Sequence, residues 1–224
     1  MTEAATITVD VISDVMCPWC YIGKRRLEAA LRQVTDIDVS VRWHPYQLDG
    51  TLPKEGKDRQ QYLSDKFGGL NNALSFYQQI EAAGAEEGIP FAFDRIRLSP
   101  NTLDCHRLIL WARADDLQDE VVERLFKAYF IDGKDLTNPE TLVDVAQDAG
   151  MQSDLVEQLL ETDSDLEKTK KSIGQAQEMG VTGVPCFIID GRFAVAGAEK
   201  AETLAAAIRH ADETRTAEPK QAMH

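Results

Sequence analysis

"DVMCPWCYIGKRRLEAAL" occupies residues 14–31, and its reading decides how the chain folds. Cys17 and Cys20 are separated only by Pro18 and Trp19, and an amphipathic run follows at once. Upstream, "TITVDVIS" alternates, which puts Ile7, Val9 and Val11 on one face of a strand. Downstream, Gly23, Leu27, Ala30, Leu31 and Val34 recur at helical spacing, with Lys24, Arg25, Glu28 and Arg32 on the other side. "DVSVRW" then alternates again, with Val39, Val41 and Trp43 on one face. Strand, helix and strand in quick succession form a βαβ unit, whose crossover is right-handed by strong preference. The cysteines therefore belong at the carboxyl end of the first strand, the edge where α/β sheets gather their chemistry.

Residues 51–179 change character. "RQQYLSDKF", "LNNALSFYQQIEAAGAEEG", "TLDCHRLILWARA", "DEVVERLFKAYF", "PETLVDVAQDAG", "SDLVEQLLET" and "DSDLEKTKKSIGQAQEMG" all carry apolar residues three or four apart, punctuated by Gly, Pro, Asn and Asp. Gly68-Gly69 reads as a helix stop, since no phosphate-loop Lys-Ser/Thr follows it. Strand character returns in "VPCFIIDGRFAVAG", where Asp190-Gly191 suits a two-residue hairpin turn. A helix with a stripe of Ala201, Leu204, Ala205 and Ile208 follows. These patterns divide the chain into a discontinuous α/β domain (1–50 and 180–212), an inserted all-helical domain (51–179) and a loose tail (213–224).

The formal net charge of −14 leaves no basic stripe to neutralise phosphates, which argues against a general nucleic-acid binder. No apolar run approaches a membrane span, and "MTEAATITVDVISDV" lacks the basic and apolar regions of a secretory signal. The expected location is the cytoplasm, where thiols are mostly kept reduced and a C-x-x-C pair reads as catalytic or metal-binding. Three chemistries are open to the pair: half a zinc site, a small structural disulfide, or dithiol–disulfide cycling. Zinc lacks a second C-x-x-C knuckle.

For cycling, the placement is apt. Cys17 falls at a helix N-terminus, where unpaired N–H groups and the macrodipole favour a thiolate. Pro18 suits the first helical position. Cys20 comes about one turn later, within reach to resolve a mixed disulfide. Trp19 offers an apolar docking surface but no full positive charge, which predicts a weaker oxidant than a histidine there would give.

The layout, with "DVMCPWCYIGKRRLE" near one end and "MGVTGVPCFIIDG" near the other, resembles the DsbA family and its FrnE-like cytoplasmic branch. "RWHPYQL" and "SPNTLDCHRL" are similar to that branch more loosely. The resemblance implies a thioredoxin-like fold interrupted by a helical insertion, and a thiol–disulfide oxidoreductase with Cys17 as nucleophile and Cys20 as resolving thiol. It also implies a cis bond at Val184–Pro185, which would hold the substrate backbone and keep metal from the sulfurs. Pro18, Trp19, His44, Asn101 and His106 would complete the substrate-binding set. No cofactor and no metal are implied. The partners would be disulfide-containing proteins or small-molecule thiols, with glutathione or a thioredoxin system resetting the pair.

Cys186 and Cys105 depart from the family pattern; core packing is the favoured reading of each, and a second redox pair stays open. Two other functions remain open. Kappa-type glutathione transferases and 2-hydroxychromene-2-carboxylate isomerases share this fold but present serine where Cys17 stands. A non-catalytic chaperone would use the groove without needing the thiol.

Overall fold

The computed structural model describes residues 6–217 of the chain. In chain order the elements are β1 (Ile7–Ser13), α1 (Pro18–Leu31), β2 (Val39–Pro45), β3 (Lys57–Asp58), α2 (Arg59–Phe67), α3 (Leu70–Glu86), β4 (Leu98–Ser99), α4 (Leu103–Trp111) and α5 (Gln118–Phe130). They continue with α6 (Pro139–Asp148), α7 (Ser153–Leu160), α8 (Leu166–Glu178), β5 (Cys186–Ile189), β6 (Phe193–Ala196) and α9 (Ala201–Ala217).

The main sheet has the order β2-β1-β5-β6. β1 and β2 run parallel, in a register that sets Val9 beside Val41 and Val11 beside Trp43. β5 is antiparallel to β1, and β6 to β5. Parallel pairing of β1 and β2 requires a crossover, and α1 supplies it. Ile7, Val9 and Val11 are buried on one face, as their alternation predicts. The other face of β1 and β5 contributes Ile12 and Cys186 to a separate small core with Tyr46 and Ala176.

Several details depart from the sequence reading. α1 was expected to expose its charged side, yet Lys24 is only 2% exposed. Its ammonium donates to Glu28 and to Asp119 and lies 3.3 Å from Glu123. Charges from α5 therefore cover that side of α1, and the buried ammonium is compensated by carboxylates, as burial of a charge demands. Val34 is buried but lies beyond the helix, in the turn after Leu31.

The segment between β2 and β5 is not wholly helical. β3 and β4 pair there as a two-stranded antiparallel ribbon, Lys57 opposite Ser99 and Asp58 opposite Leu98. Asp58 also caps α2 by accepting the Gln61 N–H at 3.0 Å. The β5–β6 turn leaves three residues between the paired Ile189 and Phe193. Asp190 and Gly191 both have positive φ, and the Arg192 N–H closes on the Ile189 carbonyl at 3.0 Å.

The expected tail is shorter than 213–224, because α9 runs through Ala217. Arg215 anchors this last turn by donating to the Thr6 carbonyl at 2.9 Å and to Asp190. The part of the expected tail from 218 to 224 lies outside the described residues. Among the described residues, no helix is long and apolar enough to cross a membrane.

Candidate active site

β1 ends at Ser13, and the chain turns through Asp14, Val15 and Met16 before α1 begins. Cys17 stands just ahead of the helix with extended backbone (φ −93°, ψ 112°), and Pro18 opens the first turn. Proline is at home there because its missing N–H is one the helix would leave unpaired. The Cys17 N–H donates to the Asp14 carbonyl at 3.0 Å, and the Cys17 carbonyl accepts the Cys20 N–H at 3.0 Å. No side chain caps this end of α1.

The Cys17 thiol donates to the Val184 carbonyl at 3.6 Å across the gap between α1 and the loop before β5. The Val184–Pro185 peptide bond is cis. Pro185 packs behind it against α1 at Gly23, where a Cβ would stand 2.8 Å from Pro185 Cγ and 3.2 Å from Phe187 Cζ. Only a residue without a side chain lets the helix and loop approach this closely. On the other side, the Gly197 N–H donates to the Pro185 carbonyl at 2.8 Å and fixes the loop to the end of β6.

The two cysteines are unequal. All four cysteines of the chain are free thiols, and Cys17 and Cys20 are both buried. Burial pushes the Cys20 thiol well up, and the hydrogen bond and charge of Cys17 push it further. The Ser13 hydroxyl and the Asp14 backbone N–H pull more weakly the other way. Cys20 is therefore held as the thiol.

Cys17 reaches outside through a cavity of about 270 Å³. Pro18, Trp19 and Val184 form one wall, and α2 and α3 supply the other through Arg59, Tyr62, Lys66 and Tyr77. Arg59 is 5% exposed. Its guanidinium donates to Ser99 Oγ at 3.2 Å and to the Tyr77 hydroxyl at 2.6 Å. Burial pushes the Tyr77 phenol up while Arg59 pulls it down, and the net is upward, with negative charge at Cys17 contributing. Lys66, exposed at the rim, donates to the Tyr62 hydroxyl at 2.9 Å and lies 5.3 Å from the centre of that ring.

Three residues expected to bind substrate are not at this cavity. His44 follows Trp43 in β2 and so faces the opposite side of the sheet, where Nε2 meets Asp10 Oδ1 at 2.7 Å. His106 is buried on α4, with Nε2 3.5 Å from Asp14 Oδ1, and shares a second cavity of about 250 Å³ with His44. Asn101 pins the loop after β2. It donates to the Leu52 carbonyl at 2.6 Å and accepts from Gln47 Nε2 and the Leu103 N–H, both at 3.0 Å.

Arg59, Tyr62, Lys66 and Tyr77 went unrecognised in the sequence, because "RQQYLSDKF" and "LNNALSFYQQIEAAGAEEG" declare only helices. Asp14, fully buried, accepts the Leu48 N–H at 2.7 Å and sets the turn before Cys17. The remaining cysteines serve packing: burial raises both thiols, Cys105 on α4 and Cys186 at the start of β5. Among the described residues, no group of three or more His, Cys, Asp or Glu is placed to hold a metal ion.

Comparison with known proteins places this geometry in context. A family model described as a DSBA-like thioredoxin domain matches residues 8–209. The crystal structure of a probable DsbA oxidoreductase, SCO1869 from Streptomyces coelicolor, superposes with a TM-score of 0.88 at 28% identity, covering 97% of this chain and 94% of that one. A 2-hydroxychromene-2-carboxylate isomerase superposes at 0.69 with 17% identity, covering 95% and 100%. The glutathione-bound cytosolic disulfide reductase DsbM from Pseudomonas aeruginosa gives 0.62 at 17%, covering 94% and 98%. The last two likenesses concern the fold alone.

Proposed function

The chain belongs to the DSBA-like thioredoxin domain family, and from that membership we propose that it exchanges disulfides through Cys17 and Cys20. The Cys17 thiolate attacks one sulfur of a substrate disulfide, forms a mixed disulfide and releases the other sulfur as a thiolate. Cys20 gives up its proton and attacks Cys17, so the second substrate sulfur leaves and a Cys17–Cys20 disulfide remains. Two electrons pass from the protein to the substrate, and the same steps reversed oxidise a dithiol.

The observation that carries this reading is the pairing of a cavity-lining Cys17 at an uncapped helix N-terminus with a buried Cys20 one turn behind it. Helix N–H groups stabilise the attacking anion, while burial keeps the second sulfur protonated until the mixed disulfide forms. Pro18 and Trp19 form the near wall, and Val184 with Pro185 presents backbone to the substrate. The working unit is a thioredoxin-like domain, residues 1–50 and 180–212, with residues 51–179 covering the cysteines. It works in the cytoplasm without a cofactor and is reset by glutathione or a thioredoxin system.

Fold likeness alone would also suit a glutathione-dependent isomerase, as the 2-hydroxychromene-2-carboxylate isomerase shows. Cysteine at both positions 17 and 20 favours exchange, since an isomerase of that type has no use for a resolving thiol. Turnover of a disulfide substrate with and without Cys17→Ser decides. Exchange requires complete loss, and a binding module would keep its function.

A further inference from the structure

We propose that Arg59 and Lys66 form an anion-binding subsite beside Cys17, and that the favoured substrates are small disulfides and thiols bearing a carboxylate. The proposal names the substrate class for the exchange reading and rests on it for its biological meaning.

Three observations converge. The chain carries 38 acidic against 24 basic residues, yet the cavity at Cys17 is lined by Arg59 and Lys66 and by no aspartate or glutamate. A cleft lined by one sign of charge within apolar walls concentrates ligands of the opposite sign. Arg59 is also a buried guanidinium held by Ser99 Oγ and the Tyr77 hydroxyl. Among the described residues, no carboxylate stands within ion-pairing distance of it. The other deeply buried guanidinium, that of Arg107, is by contrast paired with Asp104 at 2.8 Å and donates to three backbone carbonyls. A buried charge is ordinarily paired, and Arg59, held only by neutral hydroxyls, is a charge that a substrate carboxylate would neutralise. Finally, the Tyr62 and Tyr77 hydroxyls each accept from a cation, which leaves their own hydrogens to donate to an anion.

The arrangement orients exchange. A carboxylate held at the α2–α3 wall places its disulfide toward Cys17 on the opposite wall. Cys17 then takes the bound half as a mixed disulfide while the other half departs as a thiolate. Cys20 attack returns the bound half as a thiol after protonation, leaving the protein oxidised by two electrons.

The test uses iodoacetate and iodoacetamide, alkylating agents that differ in a carboxylate. In each case the Cys17 thiolate forms a carbon–sulfur bond and iodide leaves. The ratio of the two rates at Cys17, read by mass spectrometry on the reduced protein, cancels changes in thiolate fraction. The expected ratio is higher in the folded than in the urea-unfolded wild type. It should fall about tenfold in Arg59→Gln and severalfold in Lys66→Gln, and further in Lys66→Glu. Lys66 is exposed, so its variants decide even where loss of Arg59 perturbs folding, which near-ultraviolet circular dichroism reports. Ratios within about twofold of wild type in the folded variants overturn the subsite. Failure of disulfide turnover overturns the exchange reading instead and leaves this measurement valid.

Discussion

Nε2 of His106 faces Oδ1 of Asp14 at 3.5 Å, both side chains are buried, and Nε2 makes no hydrogen bond. The other carboxylate oxygen accepts the Leu48 N–H at 2.7 Å, so Asp14 ties the turn before Cys17 to the loop after β2 and to α4. Asp14→Ala leaves the Leu48 and Met16 N–H groups without their acceptor and removes the carboxylate that the buried imidazole faces. The expected loss is about 2–4 kcal/mol in urea unfolding. His106→Ala should cost less, and the two losses should not add, since they share one contact. A loss under about 0.5 kcal/mol for Asp14→Ala would show that the carboxylate has little structural role.

Cys17→Ser and Cys20→Ser should fail in different ways. Without Cys17 no adduct forms. Without Cys20 the attack still occurs but its internal release is lost, so mixed disulfides accumulate on non-reducing gels and dissolve on addition of excess thiol. Adducts on Cys17→Ser alone would reverse the two roles. Cys105→Ala and Cys186→Ala should leave turnover intact, because each thiol is raised by burial and packs in the core.

Gly23→Ala should destabilise the protein even though alanine is the better helix former by roughly 1 kcal/mol. Its methyl would lie 2.8 Å from Pro185 Cγ. Overpacking of this kind costs about 1–3 kcal/mol, and the ring cannot yield freely because the Pro185 carbonyl is tied to Gly197. A raised melting temperature in Gly23→Ala would contradict the close approach.

Stability should fall in acid partly through Glu28. Burial pushes its carboxyl up, but the hydrogen bond from Lys24 and the charges of Lys24 and Arg25 outweigh that, and the net shift is below the ordinary 4.5. A carboxyl lowered in the folded state stabilises fully above its unfolded value and loses that contribution as pH falls through the folded value. Urea midpoints should therefore decline below about pH 4.5, and the decline should be shallower in Glu28→Gln. Identical slopes would exclude Glu28 as a contributor.

The β1–α1–β2 unit and the helices after it were legible because each rests on local periodicity; Asp190-Gly191 marked where the hairpin turns but not that its loop holds three residues. Cys17, Pro18, Trp19, Cys20 and Val184 were legible as parts of short contiguous motifs. Lys24 was misread because the carboxylates that compensate it come from α5, about a hundred residues away in sequence. His44 illustrates a second limit. Alternation tells that it opposes Trp43, but not which face of the sheet the cavity opens on. Arg59 shows a third: a charged residue in the first turn of a polar helix looks solvated until β3, β4 and Tyr77 close over it.

The buried ammonium of Lys24 also bears on whether the chain is modular. It lies on the helix that follows the cysteines, yet Asp119 and Glu123, two of its three counter-ions, belong to the segment threaded between β2 and β5. Cutting that segment out and rejoining the strands would remove the α5 cover together with these two counter-ions, and would open to water the side of α1 on which Tyr21, 1% exposed, stacks against Phe126. A minimal excised version would therefore keep Lys24 in water at little cost but would need Tyr21 replaced by a polar residue before it could stand alone.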